Sequence, residues 1–207
     1  MSINIIGIAG YMGSGKSTCI EMLLKNATAV FDADILAKEF MCNDLSIMEK
    51  MISEFGADIY QNKMIDFKIL GKIVFNDCVK LRKLNKIVHP PFVEYLRMLI
   101  DKKVQEHGDQ VILLDAALIP LWKIESWFDH LIWVDASNEV RLMRLSEKYR
   151  GTIKIDELNR RINEQQCLFG KSDSYKWNTI QNNLSIDEFK NSCFQLFYNL
   201  SLKIMQS

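Results

Sequence analysis

The residues Gly10-Tyr11-Met12-Gly13-Ser14-Gly15-Lys16-Ser17 match the pattern GxxxxGK(S/T), and no other stretch constrains the fold as much. The pattern works only between a strand and a helix. Its glycines permit the tight curvature that turns successive N–H groups toward one anion, and the helix adds its positive N-terminal end. Both flanks are legible here. Residues 2–8 are apolar and β-branched, and a helix over about 15–25 buries Ile20, Leu23 and Leu24. Gly13, Ser14, Gly15, Lys16, Ser17 and Thr18 are therefore the candidate residues for a nucleoside triphosphate. Lys16 can reach the terminal phosphates, and the Ser17 hydroxyl can ligate Mg²⁺.

The rest of the chain alternates in the manner of a parallel α/β sheet with helices on both faces. Residues 28–31 form a second short strand, closed by Asp32-Ala33-Asp34. Residues 111–114 and 131–134 are continuous apolar runs ending in Asp115 and Asp135, as expected of strands buried on both faces. A weaker strand at 177–181 brings the sheet to five, and a closing helix runs from 187 to 204. Ser137 or Asn138 can cap a helix to about Arg150, and Asp156 can start another to Phe169. Between 43 and 104 the spacing predicts helices only, through Ile47, Met51 and Phe55, then Ile69, Ile73, Leu81, Leu84 and Val88. Pro90 and Pro91 are expected to interrupt this stretch and start a new helix through Phe92 and Leu96. One domain over 1–207 follows, with a core of 1–42, 108–137 and 175–207, a helical insertion at 43–107 and a lid region at 138–174.

Charge narrows the function. With 26 basic and 26 acidic residues the net charge is zero, so nucleic acid held by bulk electrostatics is not expected. The start of the chain lacks the basic segment of a secretory signal. The longest apolar run, at 111–122, is too short to cross a bilayer and contains Asp115. A cytoplasmic protein without a membrane partner is the expectation, with a monomer as the default state. The five cysteines form no CxxC or Cys/His cluster, and most read as core fillers.

Catalytic candidates are carboxylates and cations. Asp32 and Asp34 follow the second strand, at the sheet edge where ligands gather. An extended chain puts both on one face, so strand geometry does not choose between a helix cap and a base that orients an attacking hydroxyl. Asp115 can hold Mg²⁺ through water or simply close its strand, and Asp135 reads as a cap. From Arg141 to Arg161, seven basic residues stand against Glu147, Asp156 and Glu157. That excess suits a mobile lid over transferring phosphates, and equally a solvated helical face.

The chain resembles the dephospho-coenzyme A kinase family over nearly its whole length. The resemblance runs through GIAGYMGSGKST at 7–18, DAD at 32–34, FGADIY at 55–60, VF at 74–75 and HP at 89–90. It continues through VILLDAAL at 111–118, FDHLIWVDAS at 128–137, Arg144, RINEQ at 161–165 and IQN at 180–182. It implies the P-loop nucleoside triphosphate hydrolase fold, with a lid and a helical coenzyme-binding region. It also implies transfer of the γ-phosphoryl of ATP to the ribose 3′-hydroxyl of dephospho-coenzyme A, with Mg²⁺. On that reading Asp34 is the base, Lys16 and Ser17 manage phosphates and metal, and Arg144 is a phosphate ligand. His89 and Phe55 then lie toward the coenzyme, and Gln165 falls in the late motif without a defined role.

The chain departs from the family pattern at four places. Residues 115–121 read DAALIPL where D-x-P-L-L-F-E is usual, so Leu121 stands at the glutamate position. Phe67 stands where Arg is expected, Lys148 where a second lid Arg is common, and Trp177 where Asp is usual. The competing functions are a P-loop kinase of another nucleoside or small metabolite, and a catalytically inactive nucleotide-binding protein.

Overall fold

Three apolar runs form the centre of a five-stranded sheet in the computed structural model, which describes residues 3–23, 27–75, 77–106 and 110–200. The described strands are β1 (Ile3–Gly10), β2 (Ala29–Asp32), β3 (Tyr60–Gln61), β4 (Met64–Ile65), β5 (Gln110–Asp115), β6 (His130–Asp135) and β7 (Trp177–Gln181). The helices are α1 (Lys16–Leu23), α2 (Ala33–Asn43), α3 (Leu45–Phe55), α4 (Phe67–Val74) and α5 (Cys78–Val104). They continue with α6 (Ile119–Trp122), α7 (Asn138–Lys148), α8 (Ile155–Leu168) and α9 (Ile186–Asn199). The chain divides into two compact units, residues 1–31 with 106–207, and residues 32–105.

In the first unit the strand order is β2-β5-β1-β6-β7, and β1 pairs in parallel with both β5 and β6. Parallel strands covered on both faces need apolar residues at consecutive positions. Ile112, Leu113 and Leu114 of β5 are fully buried, as are Ile132 and Val134 of β6. Cys19, Ile20 and Leu23 of α1 pack on this sheet together with Phe189, Cys193 and Phe197 of α9. The register pairs Ile8 with Asp115 and Gly10 with Val134, so the strand ends carrying Asp115 and Asp135 flank the exit of β1. β1 lies at the centre of the order, where ligands of open α/β sheets collect.

The second unit holds α2 to α5, and each of its helices starts on an aspartate. Asp32, Asp44, Asp66 and Asp77 accept hydrogen bonds from the first-turn N–H groups of α2, α3, α4 and α5. This unit contains a hairpin that helical spacing alone conceals. Tyr60 pairs with Ile65 and Gln61 with Met64 across a two-residue turn, Asn62 and Lys63, at φ 51° and 65°. Such turns favour Asn-Gly; the lysine at the second position hides the signal.

The expected break at Pro90 and Pro91 is also absent: both lie inside the 27-residue helix α5. Each proline lacks a helix N–H, at a cost of about 3 kcal/mol or more. Val88, Phe92, Leu96 and Ile100 recur every four residues and are buried, which offsets that cost at roughly 1.5–3 kcal/mol per large apolar side chain. Two further expectations need revision. Only Cys19 and Cys193 are buried, whereas Cys78 and Cys167 are exposed. Asp135 caps no helix: Ser137 accepts from Val140 N at 3.4 Å, and Asp135 accepts from Gln181 Nε2 at 3.3 Å. Ser2, the end of the first helix at 24–25 and the end of the last at 201–204 lie outside the described residues.

Asp44 tests the capping scheme, because it receives Ile47 N at 3.0 Å while its own N–H donates to Phe40 O at 2.9 Å. Asp44→Ala keeps the backbone bond and loses the side-chain one. Urea unfolding should show a loss of about 1 kcal/mol, the usual value of such a cap.

Candidate active site

The candidate site begins where β1 ends. Tyr11 to Gly15 form the loop between β1 and α1, and Ser14 N donates back to Tyr11 O at 3.1 Å. Gly13 and Gly15 hold φ values of 78° and 100°, a region side chains rarely adopt. A Cβ at Gly15 would stand 2.1 Å from Asn182 Nδ2, so this position has no room for one. α1 then starts at Lys16 with its N-terminal N–H groups facing the loop mouth, the arrangement that binds phosphate. Ser17 is exposed there, and Thr18 is half-buried.

Outside the loop, two arginines of α7 engage its carbonyl oxygens. Arg141 is fully buried; its Nε donates to Met12 O at 2.9 Å, and its NH1 donates to Asn138 Oδ1 at 3.0 Å. Its guanidinium also lies 4.7 Å over the Tyr11 ring. Burial pulls Arg141 below its ordinary pKa, yet a guanidinium remains charged at any working pH. Arg144 donates to Gly13 O and Ser14 O, both at 3.4 Å, and to Asn182 Oδ1 at 3.0 Å. Asn182 Nδ2 donates to Ser14 O at 2.7 Å. From α8, Gln165 Oε1 accepts the Met12 N–H at 2.7 Å. Tyr11 packs edge-on against Trp133 and donates its hydroxyl to Phe169 O at 3.0 Å.

Asp115 does more than close β5. Its Oδ1 accepts from Lys16 Nζ, and both side chains are largely buried. A triphosphate entering this loop therefore meets a lysine already drawn to a carboxylate. Ser14 Oγ is buried with no protein partner, which leaves a donor available to an anion at the loop. Ser17 and Asp115 supply hard oxygen atoms, and among the described residues no group of three or more His, Cys, Asp or Glu could hold a metal alone. That donor set suits Mg²⁺ carried largely by nucleotide phosphates and water.

The basic stretch of α7 and α8 is less bare than its composition suggests. Glu157 accepts from Arg160 NH2 at 2.8 Å and from Arg161 Nε at 2.7 Å, and Arg160 NH1 donates to Glu164 at 2.5 Å. The hydrogen bonds from Arg160 and Arg161 pull Glu157 down to about 2. Leu145, Leu158 and Ile162 join α7 to α8 in a small core that also takes in Met12.

The remaining candidates belong to the second unit. Asp32 accepts from Asp34 N at 2.9 Å and Ile35 N at 3.0 Å, so its carboxylate is committed to capping α2. Asp34 lies in the first turn of α2 and is exposed. Phe55 ends α3, and His89 lies inside α5, both half-buried. Burial pushes the His89 imidazole below its ordinary value, so it is neutral at pH 7. Phe67 opens α4 and, with Met64, Ile65 and Lys68, lines a shallow groove beside the β3–β4 turn. The structure thus brings the phosphate-loop residues, Asp115 and Arg144 together in the first unit, and holds Asp34, Phe55 and His89 in the second.

The sequence names Arg141 only as the start of the basic stretch and Asn182 only within IQN at 180–182, with no role for either. Arg141 lies four residues before buried Leu145, hence on the same helix face, which was the available signal. Of the departures from the family pattern, Trp177 packs edge-on against Trp133 at 5.6 Å, and Lys148 lies 5.6 Å over the Tyr149 ring. Pro120 falls in the first turn of α6, where a missing N–H costs nothing.

A parallel sheet of this order, with a glycine loop running into α1 and arginines behind it, defines a P-loop kinase fold. Two solved structures share it: TT1252 from Thermus thermophilus, with TM-score 0.67, 23% identity and 97% and 99% of the two chains covered, and the dephospho-CoA kinase from Campylobacter jejuni, with TM-score 0.65, 22% identity and 96% and 98% covered. The family follows from sequence. The chain belongs to the dephospho-CoA kinase family, whose model matches residues 4–188. Relatives named dephospho-CoA kinase include one from Fusobacterium nucleatum, 37% identical over 80% of both chains. Another, from Oceanobacillus iheyensis, is 33% identical over 90% of this chain and 92% of its own. By family the chain is an enzyme, a kinase. No described helix is long and apolar enough to cross a membrane.

The Glu157 pairs give a pH test. A carboxylate held at about 2 in the fold, against an ordinary 4.5, contributes stability above pH 4.5 that is lost as pH falls through about 2. A carbon-detected NMR titration of Glu157 should place its midpoint near 2; a midpoint near 4.5 would show that these ion pairs do not hold in solution.

Proposed function

We propose that the chain transfers the γ-phosphoryl group of ATP to the ribose 3′-hydroxyl of dephospho-coenzyme A, giving coenzyme A and ADP. One observation carries this reading: a complete phosphate loop between β1 and α1 in a chain whose family match spans residues 4–188. Phosphoryl transfer asks little covalent chemistry of a protein, and much positioning and charge compensation. Lys16 leaves Asp115 to offset charge on the β- and γ-phosphates. Ser17 and Asp115 would hold Mg²⁺, Asp115 through water. Bound with the triphosphate, that ion offsets charge on the phosphate oxygens. Arg144 is the candidate lid-side phosphate ligand, and in that role its guanidinium would turn from the Gly13 and Ser14 carbonyls it meets here to a phosphate oxygen.

Asp34 is the base in this scheme. The capping bonds of Asp32 support it, because they leave Asp34 as the exposed carboxylate of the pair. It orients the 3′-hydroxyl for in-line attack and takes its proton late in the step. His89 and Phe55 lie toward the coenzyme in this scheme, and Phe55 offers an aromatic face. The protein acts in the cytoplasm, where its substrates are soluble, and as a monomer.

The direct test is ATP consumption with dephospho-coenzyme A against a panel of nucleosides and nucleoside monophosphates. Turnover confined to dephospho-coenzyme A is expected; preference for a nucleoside would assign a different kinase, and ATP binding without turnover an inactive relative. Lys16→Ala should abolish transfer while the protein stays folded. Asp34→Asn keeps size and loses the base, so kcat should fall roughly 10²–10⁴-fold, the range of a positioned acid–base group. Its ATP affinity should hardly change. A folded D34N protein with kcat within a few-fold of wild type would remove Asp34 from the mechanism.

A further inference from the structure

Arg141 is the largest buried charge in the described structure that the reaction scheme leaves without a role. It is fully buried, and among the described residues no carboxylate lies within ion-pair distance of it. Charged side chains are almost never buried so completely unless paired, because the loss of hydration is costly. Its guanidinium meets neutral acceptors instead: Met12 O at 2.9 Å, Asn138 Oδ1 at 3.0 Å and Gln165 Oε1 at 3.4 Å. Gln165 Oε1 in turn accepts the Met12 N–H at 2.7 Å. The result is a closed ring of hydrogen bonds through the phosphate loop, α7 and α8.

Planar trans peptides give this ring a directional consequence. The C=O of one residue and the N–H of the next point in opposite directions. Gln165 fixes the peptide between Tyr11 and Met12, and Tyr11 O accordingly points the other way, where it accepts from Ser14 N at 3.1 Å. Arg141 fixes the next peptide through Met12 O, which turns the Gly13 N–H away from α7. Asn182, donating to Ser14 O at 2.7 Å, does the same for the Gly15 N–H. The amides that must meet phosphate are aimed by side chains behind the loop.

We propose that Arg141 is a positioning residue for phosphoryl transfer: with Gln165 it locks the two peptide planes on either side of Met12, so that the loop N–H groups point at the phosphates before nucleotide arrives. The proposal rests on the triphosphate site read above and goes beyond it by giving Arg141 and Gln165 a task. Charge alone does not perform that task. A lysine has one compact ammonium on a flexible stem and cannot reach three acceptors in a fixed plane. Arg141 of α7 and Gln165 of α8 are therefore part of the phosphate loop's support.

Arg141→Lys and Gln165→Leu in the full chain test this, each assayed well below its own melting temperature. For Arg141→Lys, kcat/KM for ATP should fall roughly 10- to 100-fold despite the retained charge, the scale of an approximately 1 Å misplacement of binding groups. KM should rise and kcat should fall, because the same amides meet the phosphates before and during transfer. Gln165→Leu keeps the guanidinium and frees one peptide plane, so a smaller loss in the same direction is expected. Lowered melting temperatures with kcat and KM for ATP within about twofold of wild type in both variants would overturn the proposal, since a purely structural role predicts that pattern. If Arg141→Lys fails to fold, Gln165→Leu decides alone. A wild-type protein that binds ATP yet phosphorylates no dephospho-coenzyme A would sink the acceptor assignment only. The loop is then judged by the calorimetric Kd for ATP, which must weaken in both variants.

Discussion

Three consecutive carbonyl oxygens, those of Met12, Gly13 and Ser14, accept from a layer of side-chain donors behind the loop. A loop that turns its N–H groups inward must turn its C=O groups outward. Outside the loop those oxygens are partly or wholly removed from water, where an unpaired acceptor costs about 1–3 kcal/mol. Arg141, Arg144 and Asn182 answer that demand from α7 and from the turn after β7. The shape of the loop depends on this outer layer as much as on its glycines.

The elements around the loop make sense as supports for that layer. α7 and α8 share a small apolar core of Leu145, Leu158 and Ile162, with Met12 packed against it. Tyr11 stands between the Arg141 guanidinium and Trp133, and its hydroxyl ties to Phe169 O at the end of α8. Trp177, on the outermost strand, stacks edge-on behind Trp133. The substitution of tryptophan for the usual aspartate thus extends an aromatic row from β7 to the loop. Asn182 reaches Ser14 because its own N–H is held by Asp135 O at 2.8 Å, at the end of β6. Sheet register and loop geometry are linked through that one backbone bond.

How much of this is legible in the sequence varies with the kind of signal. The phosphate loop is readable because its glycines recur at the spacing a tight anion loop needs, directly ahead of Lys16 and Ser17. The strands at 111–114 and 131–134 are readable because an unbroken apolar run of that length suits a strand covered on both faces. α5 is not, because the local cost at Pro90 and Pro91 is outweighed by burial of Val88, Phe92, Leu96 and Ile100, contacts a local reading does not contain. The β3–β4 turn lacks its glycine, with Lys63 in a positive-φ position instead. Asp32 and Asp34 are inseparable in an extended chain. The start of α2 at Ala33 separates them, making one a cap and leaving the other exposed. The basic stretch misleads in a different way. Composition registers charge and not burial, so Arg141, the one fully buried arginine among the described residues, is indistinguishable there from its solvated neighbours.

Preorganisation of the loop is the claim on which the account stands, and backbone NMR relaxation tests it directly. In nucleotide-free protein the amides of Gly13, Ser14 and Gly15 should show order parameters of about 0.85, as rigid as the sheet, and a non-hydrolysable ATP analogue should leave them nearly unchanged. Order parameters below about 0.6 in the free protein, rising only when the analogue binds, would mean that nucleotide itself shapes the loop. That result would contradict the account.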